Sequence, residues 1–426
     1  MYLHIGMQVR QSHYKFKKFL RDSMMELYLQ FGYGMMEHCR SLLSLWRGGT
    51  VVLSPRDLSA DQLQRLASSV NSLPNTNILL DPQFYLPHAD HQRLCSHEYW
   101  PNDYDTGLFW QGPQLVRLLT NLRDLNTRLQ CESFILPGIL ALSINDDWLE
   151  MQRAILEEAI ALRLDRPIIL TLALSAEAVR DQQQVELLLD HAERWKPNGY
   201  YLVCEHPKGQ YLVDDANWLA NVLDIIAGLK LLGAQVILGY CNQQMLIAGV
   251  TKVNAIASGT WMNVRSFPPE KFNAVYDEEM KQRTTWYYCP QTLSEYKIPF
   301  LDIALRMGLL NMMSPAVNEN APFANALFSG VQPSSVGFNE QSAFRHYLCY
   351  LRQQSLATVR STFDETVTAH TELLDTAQTL LQTLTASGIR GQLRDFTPII
   401  DVNRAALELI IRLRGAMLRR RWPSLT

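Results

Sequence analysis

The chain has 426 residues, is 47% hydrophobic and carries a net charge of −3. This composition can bury a large core and excludes a disordered chain or one made basic throughout for nucleic acid. Seven scattered cysteines with no Cys-x-x-Cys pair exclude a disulfide framework and point to reduced thiols in a cytoplasmic protein.

In chain order, the first 48 residues read as an N-terminal helical segment. It is rich in Met and Leu over 23–46 and preceded by a basic cluster containing Lys17 and Lys18. No signal peptide and no apolar run of about 18 residues stands out, so no membrane span is expected. Apolar bursts of strand length then recur at Thr50–Leu53, Asn77–Leu80, Ser133–Leu136, Pro167–Leu172, Gly199–Val203, Ala234–Leu238 and Asn254–Ala257. They are nearly continuous in Val, Ile and Leu, as expected of parallel strands covered on both faces. Amphipathic stretches such as Asp146–Leu164, Ala176–Trp195 and Ala216–Leu232 lie between them. Strand-helix alternation on this scale predicts an α/β fold, a TIM-type (β/α)8 barrel over 49–335. An eighth strand falls at Thr285–Tyr288 or in an N-terminal piece. Residues 86–130 read as an aromatic-rich insertion over the barrel mouth, and 336–426 as a C-terminal helical region ending in a basic cluster with Arg419 and Arg420.

The run Ile78-Leu79-Leu80-Asp81 ends in a carboxylate. In such barrels, catalytic groups sit at the C-terminal ends of strands, so Asp81 is the candidate catalytic residue. Gln83 and Tyr85, just beyond, are candidate contacts to a planar polar ligand. Other strand ends supply Glu205, Asn242, Gln243, Ser258, Asn263 and Arg265 as candidate substrate contacts. Asn242 would equally cap the next helix. Arg56, Trp100, Tyr104 and Trp110, with the two basic clusters, are candidate nucleic-acid contacts; the aromatics would stack on a displaced base or pack the insertion down. His88, Asp90 and His91 are too loosely spaced to predict a metal site.

The order Gly199-Tyr200-Tyr201, then Val236-Ile237-Leu238-Gly239-Tyr240, then Ser258-Gly259-Thr260-Trp261-Met262-Asn263-Val264-Arg265 resembles the last third of the tRNA-guanine transglycosylase barrel. Asp81-Pro82-Gln83-Phe84 resembles a shortened form of that family's Asp-Ser-Gly-Gly-Phe-Gln strand end. Two departures alter the chemistry implied. The family's nucleophilic aspartate falls on or next to Ser258. Its zinc site falls on Trp286-Tyr287-Tyr288-Cys289-Pro290, which offers one cysteine, so neither zinc nor any other cofactor is expected. With the late carboxylate gone, the resemblance implies base removal rather than base exchange. It implies a DNA glycosylase that hydrolyses the N-glycosidic bond of a modified, flipped-out base, in a branch that defends against phages. The alternatives are a base-exchanging transglycosylase on tRNA or DNA, and a catalytically inactive barrel that binds nucleic acid or a protein. The expected partner is DNA, with RNA as the second choice; the sequence fixes no oligomeric state.

Overall fold

The computed structural model describes residues 24–101, 109–275, 284–316 and 321–425. Nine parallel segments form the central sheet: β1 (Glu26–Gln30), β2 (Gly49–Leu53), β3 (Thr76–Leu80), β4 (Phe134–Ile135), β5 (Leu140–Ala141), β6 (Ile168–Leu174), β7 (Gly199–Cys204), β8 (Gln235–Leu238) and β9 (Ala255–Ser258). β4 and β5 pair with opposite ends of β6, Phe134 with Ile168 and Leu140 with Ala173, so they are one strand interrupted at Pro137-Gly138. The neighbour order is β3-β2-β1-β9-β8-β7-β6-β4. Its two ends, β3 and β4, are consecutive in the chain, and Glu132 N–H reaches the carbonyl of Ile78 at 3.0 Å. Eight strands therefore follow one another around a ring, a (β/α)8 barrel.

The eighth strand is the N-terminal piece, and this corrects the expected N-terminal helical segment. In Glu26-Leu27-Tyr28-Leu29-Gln30, Leu27 and Leu29 are buried while Glu26 and Tyr28 are partly exposed. That alternation of period two is a strand's, and the Met and Leu around it mask it. Helix α1 (Met36–Trp46) follows. The other candidate strand lies off the barrel: β10 (Trp286–Cys289) and β11 (Ser294–Lys297) form a separate antiparallel hairpin.

The helices between strands are α2 (Ala60–Asn71), the short α3 (Gln92–Cys95), α4 (Gly112–Leu129), α5 (Asp146–Ala161), α6 (Ala176–Arg180), α7 (Gln182–Trp195) and α8 (Ala216–Leu231). Side-chain caps set several starts. Ser59 and Gln62 form a capping box on α2, Asn145 caps α5, and Asp215 caps α8. The insertion is shorter than expected, because α4 inside 86–130 is the ordinary helix joining β3 to β4. Beyond the hairpin lie α9 (Ile298–Arg306), α10 (Leu310–Met313), α11 (Glu340–Thr358), α12 (Phe363–Ala386) and α13 (Ile400–Arg421).

The C-terminal helices complete the barrel. Only a 3-10 segment, Gln243–Thr251, follows β8. α11 packs on that segment and on β1, where Ser355 Oγ donates to the carbonyl of Met25 at 2.8 Å. α13 packs along α8, which explains why α8 is buried on every side over Trp218–Lys230. In that contact Asp224, 1% exposed, receives Arg414 Nε at 2.6 Å and Nη2 at 3.2 Å. Among the described residues, no helix is long and apolar enough to cross a membrane.

Replacing Arg414 with alanine would strand the Asp224 carboxylate between two helices. Breaking a buried pair from one side is costly, so Arg414→Ala is expected to lose about 2–4 kcal/mol of unfolding free energy in urea denaturation. An unchanged midpoint would show that α13 does not hold α8 down.

Candidate active site

Asp81 lies one residue beyond β3, and its N–H still bonds the carbonyl of Leu53 at 3.2 Å. The side chain is wholly buried. Oδ1 accepts Gln83 N–H at 2.9 Å and the Tyr85 hydroxyl at 2.8 Å. Oδ2 accepts the Tyr240 hydroxyl at 2.8 Å, with the Tyr85 and Tyr201 hydroxyls at 2.9 and 3.4 Å. The Tyr201 phenol, from β7, also donates to Gln30 Oε1 at 2.8 Å, while Gln30 Nε2 is buried with no partner among the described residues. The barrel makes room for Tyr201 at Gly239, where an added Cβ would stand 2.6 Å from the Tyr201 hydroxyl.

Two of these side chains ride on left-handed backbone, Gln83 at φ 55° and Tyr240 at φ 56°. Such conformations cost non-glycine residues about 1–3 kcal/mol and cluster at functional sites. Here the bonds they enable hold them. Gln83 Oε1 accepts Arg56 N–H at 2.9 Å and Ser54 Oγ at 3.1 Å, and Gln83 Nε2 donates to the Tyr240 hydroxyl at 3.2 Å.

Burial pushes the Asp81 carboxyl above the usual aspartate range. The bonds from Tyr85, Tyr240 and Gln83 and the charge of Lys271 pull the other way without restoring it. Burial, and then the Asp81 charge, push the phenols of Tyr85, Tyr201 and Tyr240 well above their ordinary value, so they remain donors. The result is a carboxyl disposed to hold its proton and surrounded by groups ready to receive the anion.

Two segments cover it. In the first, Phe267 and Phe272 lie 4.9 and 5.1 Å from the Tyr85 ring, and Lys271 Nζ lies 4.1 Å from the Tyr240 ring centre. Arg56 Nε anchors this segment through the carbonyl of Lys271 at 2.6 Å. In the second, the Tyr99 hydroxyl bonds the carbonyl of Pro82 at 2.7 Å, and Trp100 and Phe109 pack on Phe84 at 4.8 and 5.1 Å. Ala274 N–H to Asp90 Oδ1, 2.6 Å, joins the two.

The remaining candidates divide. Gln83 and Tyr85 bond Asp81 directly, and Arg56 reaches it through Gln83, whose Oε1 accepts the Arg56 N–H. Arg265 anchors a second buried cluster: its Nε donates to the carbonyl of Gly259 at 2.9 Å, its guanidinium stacks 3.5 Å from the Tyr347 ring centre, and its Nη1 meets Glu295 Oε2 at 3.2 Å. Glu295 also receives Arg394 Nη1 at 2.7 Å and the Tyr211 hydroxyl at 2.9 Å. Burial acts to raise the Glu295 carboxyl, but Arg394 and Arg265 outweigh it and hold it below its usual range. Gln243 Oε1 accepts the Tyr211 and Tyr347 hydroxyls at 3.1 and 3.3 Å, and Ser258, wholly buried, lies beside Tyr347. Asn242 caps the 3-10 segment through Gln244 N–H at 2.8 Å. The carbonyl of Asn263 accepts Lys271 Nζ at 2.7 Å. Glu205 joins neither cluster; it accepts Ala176 N–H at 3.1 Å, at the start of α6.

Of the expected nucleic-acid contacts, Trp100 is buried in the cover and Trp110 packs against the core. Arg419 pairs with Asp364 at 2.8 Å. The end of α13 lies at the opposite face of the barrel from Asp81, because the Trp422 carbonyl accepts Lys252 Nζ at 2.8 Å and Lys252 precedes the start of β9. Arg419 and Arg420 therefore do not share the Asp81 face. Lys17, Lys18 and Tyr104 lie outside the described residues.

The segment 286–290, on which the sequence resemblance put a zinc site, contains β10 of the hairpin, and its residues do not fit that metal. Cys289 stands alone, Tyr287 stacks on His346 at 5.0 Å, and His346 Nε2 bonds the carbonyl of Tyr288 at 2.8 Å. No group of three His, Cys, Asp or Glu converges among the described residues.

The sequence reading missed Tyr201, Tyr240, Lys271, Glu295 and Arg394. Only Tyr201 and Tyr240 carried a signal: β7 and β8 each bring a tyrosine to the barrel, and Gly239 clears the space between them.

The fold and site define a (β/α)8 barrel with a buried carboxyl at the C-terminal end of its third strand. No known family profile matches the chain, and no curated protein matches it. Among solved structures, a Thermobacillus composti GH10 xylanase is 11% identical, with a TM-score of 0.37 over 59% of this chain and 90% of that one. The catalytic domain of a hyperthermophilic chitinase from Pyrococcus furiosus is 10% identical, with a TM-score of 0.33 over 58% and 92%. The carboxyl transferase domain of Rhizobium etli pyruvate carboxylase is 11% identical, with a TM-score of 0.37 over 93% and 62%. No substrate or chemistry is carried over from likenesses this distant.

Two outcomes check the site. Folding holds a proton on Asp81 that the unfolded chain releases, so wild-type stability falls as pH rises from the ordinary aspartate range through the raised folded value. Asp81→Asn removes that loss. In urea unfolding between about pH 4 and 8, the stability of Asp81→Asn minus wild type should grow with pH; a constant difference would contradict the raised value. Gly239→Ala should lose about 1–3 kcal/mol through its clash with Tyr201, measured in the same way.

Proposed function

We propose that this protein hydrolyses the N-glycosidic bond of a nucleobase, a modified one, flipped out of DNA. The observation that carries the reading is Asp81, a buried carboxyl biased towards its acid form at a barrel strand end. Raised carboxyl values are how acids are readied for work near neutral pH. As the C1′–N bond breaks, its electron pair passes to the base and Asp81 donates the proton that neutralises it. The carboxylate left behind meets the Tyr85 and Tyr240 hydroxyls and Gln83 N–H already in place. Water then adds to the oxocarbenium-like sugar and returns a proton to Asp81. Ser258, at the end of β9, supplies no carboxylate to hold the sugar covalently, which favours hydrolysis over base exchange. Flipping the base costs about a few kcal/mol, and the Phe267–Phe272 cover must lift to admit it. The unpartnered Gln30 Nε2 would then find an acceptor on the ligand.

One observation favours a second reading, an inactive barrel that binds nucleic acid or protein: both Asp81 oxygens already receive protein donors. The two readings part on one experiment. DNA carrying a panel of base modifications is incubated with the protein, and released base is sought by mass spectrometry. The proposal expects release from at least one modified DNA. Asp81→Asn should cut the rate at least about 100-fold while DNA affinity, read by fluorescence anisotropy, stays within about twofold. Undiminished release by Asp81→Asn would sink the mechanism, and no release from any DNA would favour the inactive barrel. Labelled free base entering the nucleic acid would show exchange instead.

A further inference from the structure

The Arg265 cluster borders a small cleft that the base-removing chemistry does not use. It is lined by Thr260, Trp261, Arg265, Trp286 and Arg394 and by the first turn of α11, and encloses about 50 Å³. A water-sized site needs about 10–15 Å³ measured this way, so the cleft holds a few oxygen atoms' worth of ligand and no nucleobase.

Three features bear on binding an anion. Buried Arg265 and Glu295 and half-buried Arg394 together carry two positive charges and one negative. The start of α11, a 19-residue helix, faces the cleft through Glu340, Ala343 and Phe344; helix N-termini present N–H groups and positive potential. Independently of both, Thr260 is 2% exposed and its hydroxyl has no hydrogen-bond partner among the described residues. A buried hydroxyl without a partner costs about 1–3 kcal/mol, and one lining a cleft is satisfied by a ligand that brings an acceptor. Trp261 and Trp286 wall the space and lower its polarity, which strengthens any charge pairing inside. Two carboxylates oppose an anion: Glu295, already paired with both guanidinium groups, and Glu340 also line the cleft, so its four charged side chains sum to zero and the bias towards an anion rests on the helix start and the Thr260 hydroxyl.

We propose that this cleft binds one phosphate group, held by Arg265, Arg394, the Thr260 hydroxyl and the first turn of α11. The site stands on its own geometry. Only the assignment of that phosphate to a nucleic-acid backbone, rather than to a free nucleotide, rests on the proposed function.

Inorganic phosphate titrated into the full-length protein by isothermal calorimetry is the test. The wild type should bind it saturably. Thr260→Val, which keeps the side chain's shape, should bind about tenfold more weakly with an undiminished melting temperature in phosphate-free buffer. Glu340→Gln should bind more tightly. Absence of saturable binding by the wild type, or equal affinity in wild type and Thr260→Val, would overturn the proposal. Two further ligands assign the source. If Thr260→Val weakens binding of an abasic single-stranded oligonucleotide, the site takes a backbone phosphate; if it weakens only a nucleoside monophosphate, the site takes a free nucleotide. Asp81→Asn should bind phosphate as the wild type does, so loss of base release and loss of this site are read separately.

Discussion

The burial of one carboxyl group organises this barrel's C-terminal face. Asp81 cannot be taken from water without compensation. The compensation reaches across the ring, from Tyr85 next to β3, Tyr201 on β7 and Tyr240 after β8. Each donor imposes its own demand. Tyr201 requires a glycine at 239, and Tyr240 and Gln83 require left-handed backbone. The cover of Phe267, Lys271 and Phe272 then excludes the water that would return the carboxyl to its ordinary behaviour.

A second polar centre lies beside the first and solves the burial problem differently. Glu295 is held ionised by two guanidinium groups, whereas Asp81 is surrounded by neutral donors and kept towards its acid form. The two buried carboxyls therefore have opposed tendencies, Asp81 towards its acid form and Glu295 towards its anion. The Arg265 cluster also ties the late hairpin and the C-terminal region to the end of β9, through Glu295 and Arg394. The C-terminal helices are thus part of the barrel's framework: α11 against β1, α13 against α8.

The strands of the fold were legible because seven of them are apolar bursts that only two-sided burial explains. The first was hidden, because the period-two pattern of Leu27 and Leu29 sits among methionines and leucines that equally suit a helix. The site was partly legible. A carboxylate closing an apolar run reads directly as a strand-end group, and Gln83 and Tyr85 follow it in sequence. Tyr201 and Tyr240 were signalled only by a tyrosine at each of two neighbouring strands with Gly239 beside them, whereas Lys271, Glu295 and Arg394 reach their clusters across the barrel and nothing local in the chain marks that closure. Glu205 and Asn242 read as ligand contacts but serve backbone N–H groups, since carboxylates and amides at strand ends answer both needs.

Burial disposes Asp81 to hold a proton where an ordinary aspartate would not. Infrared difference spectra between wild type and Asp81→Asn isolate that one carboxyl. They should show a protonated-acid carbonyl band that persists above the ordinary aspartate range of about pH 4 before giving way to carboxylate. Carboxylate bands alone at and above that pH would mean an Asp81 that ionises like any other aspartate, and burial would then not hold its proton.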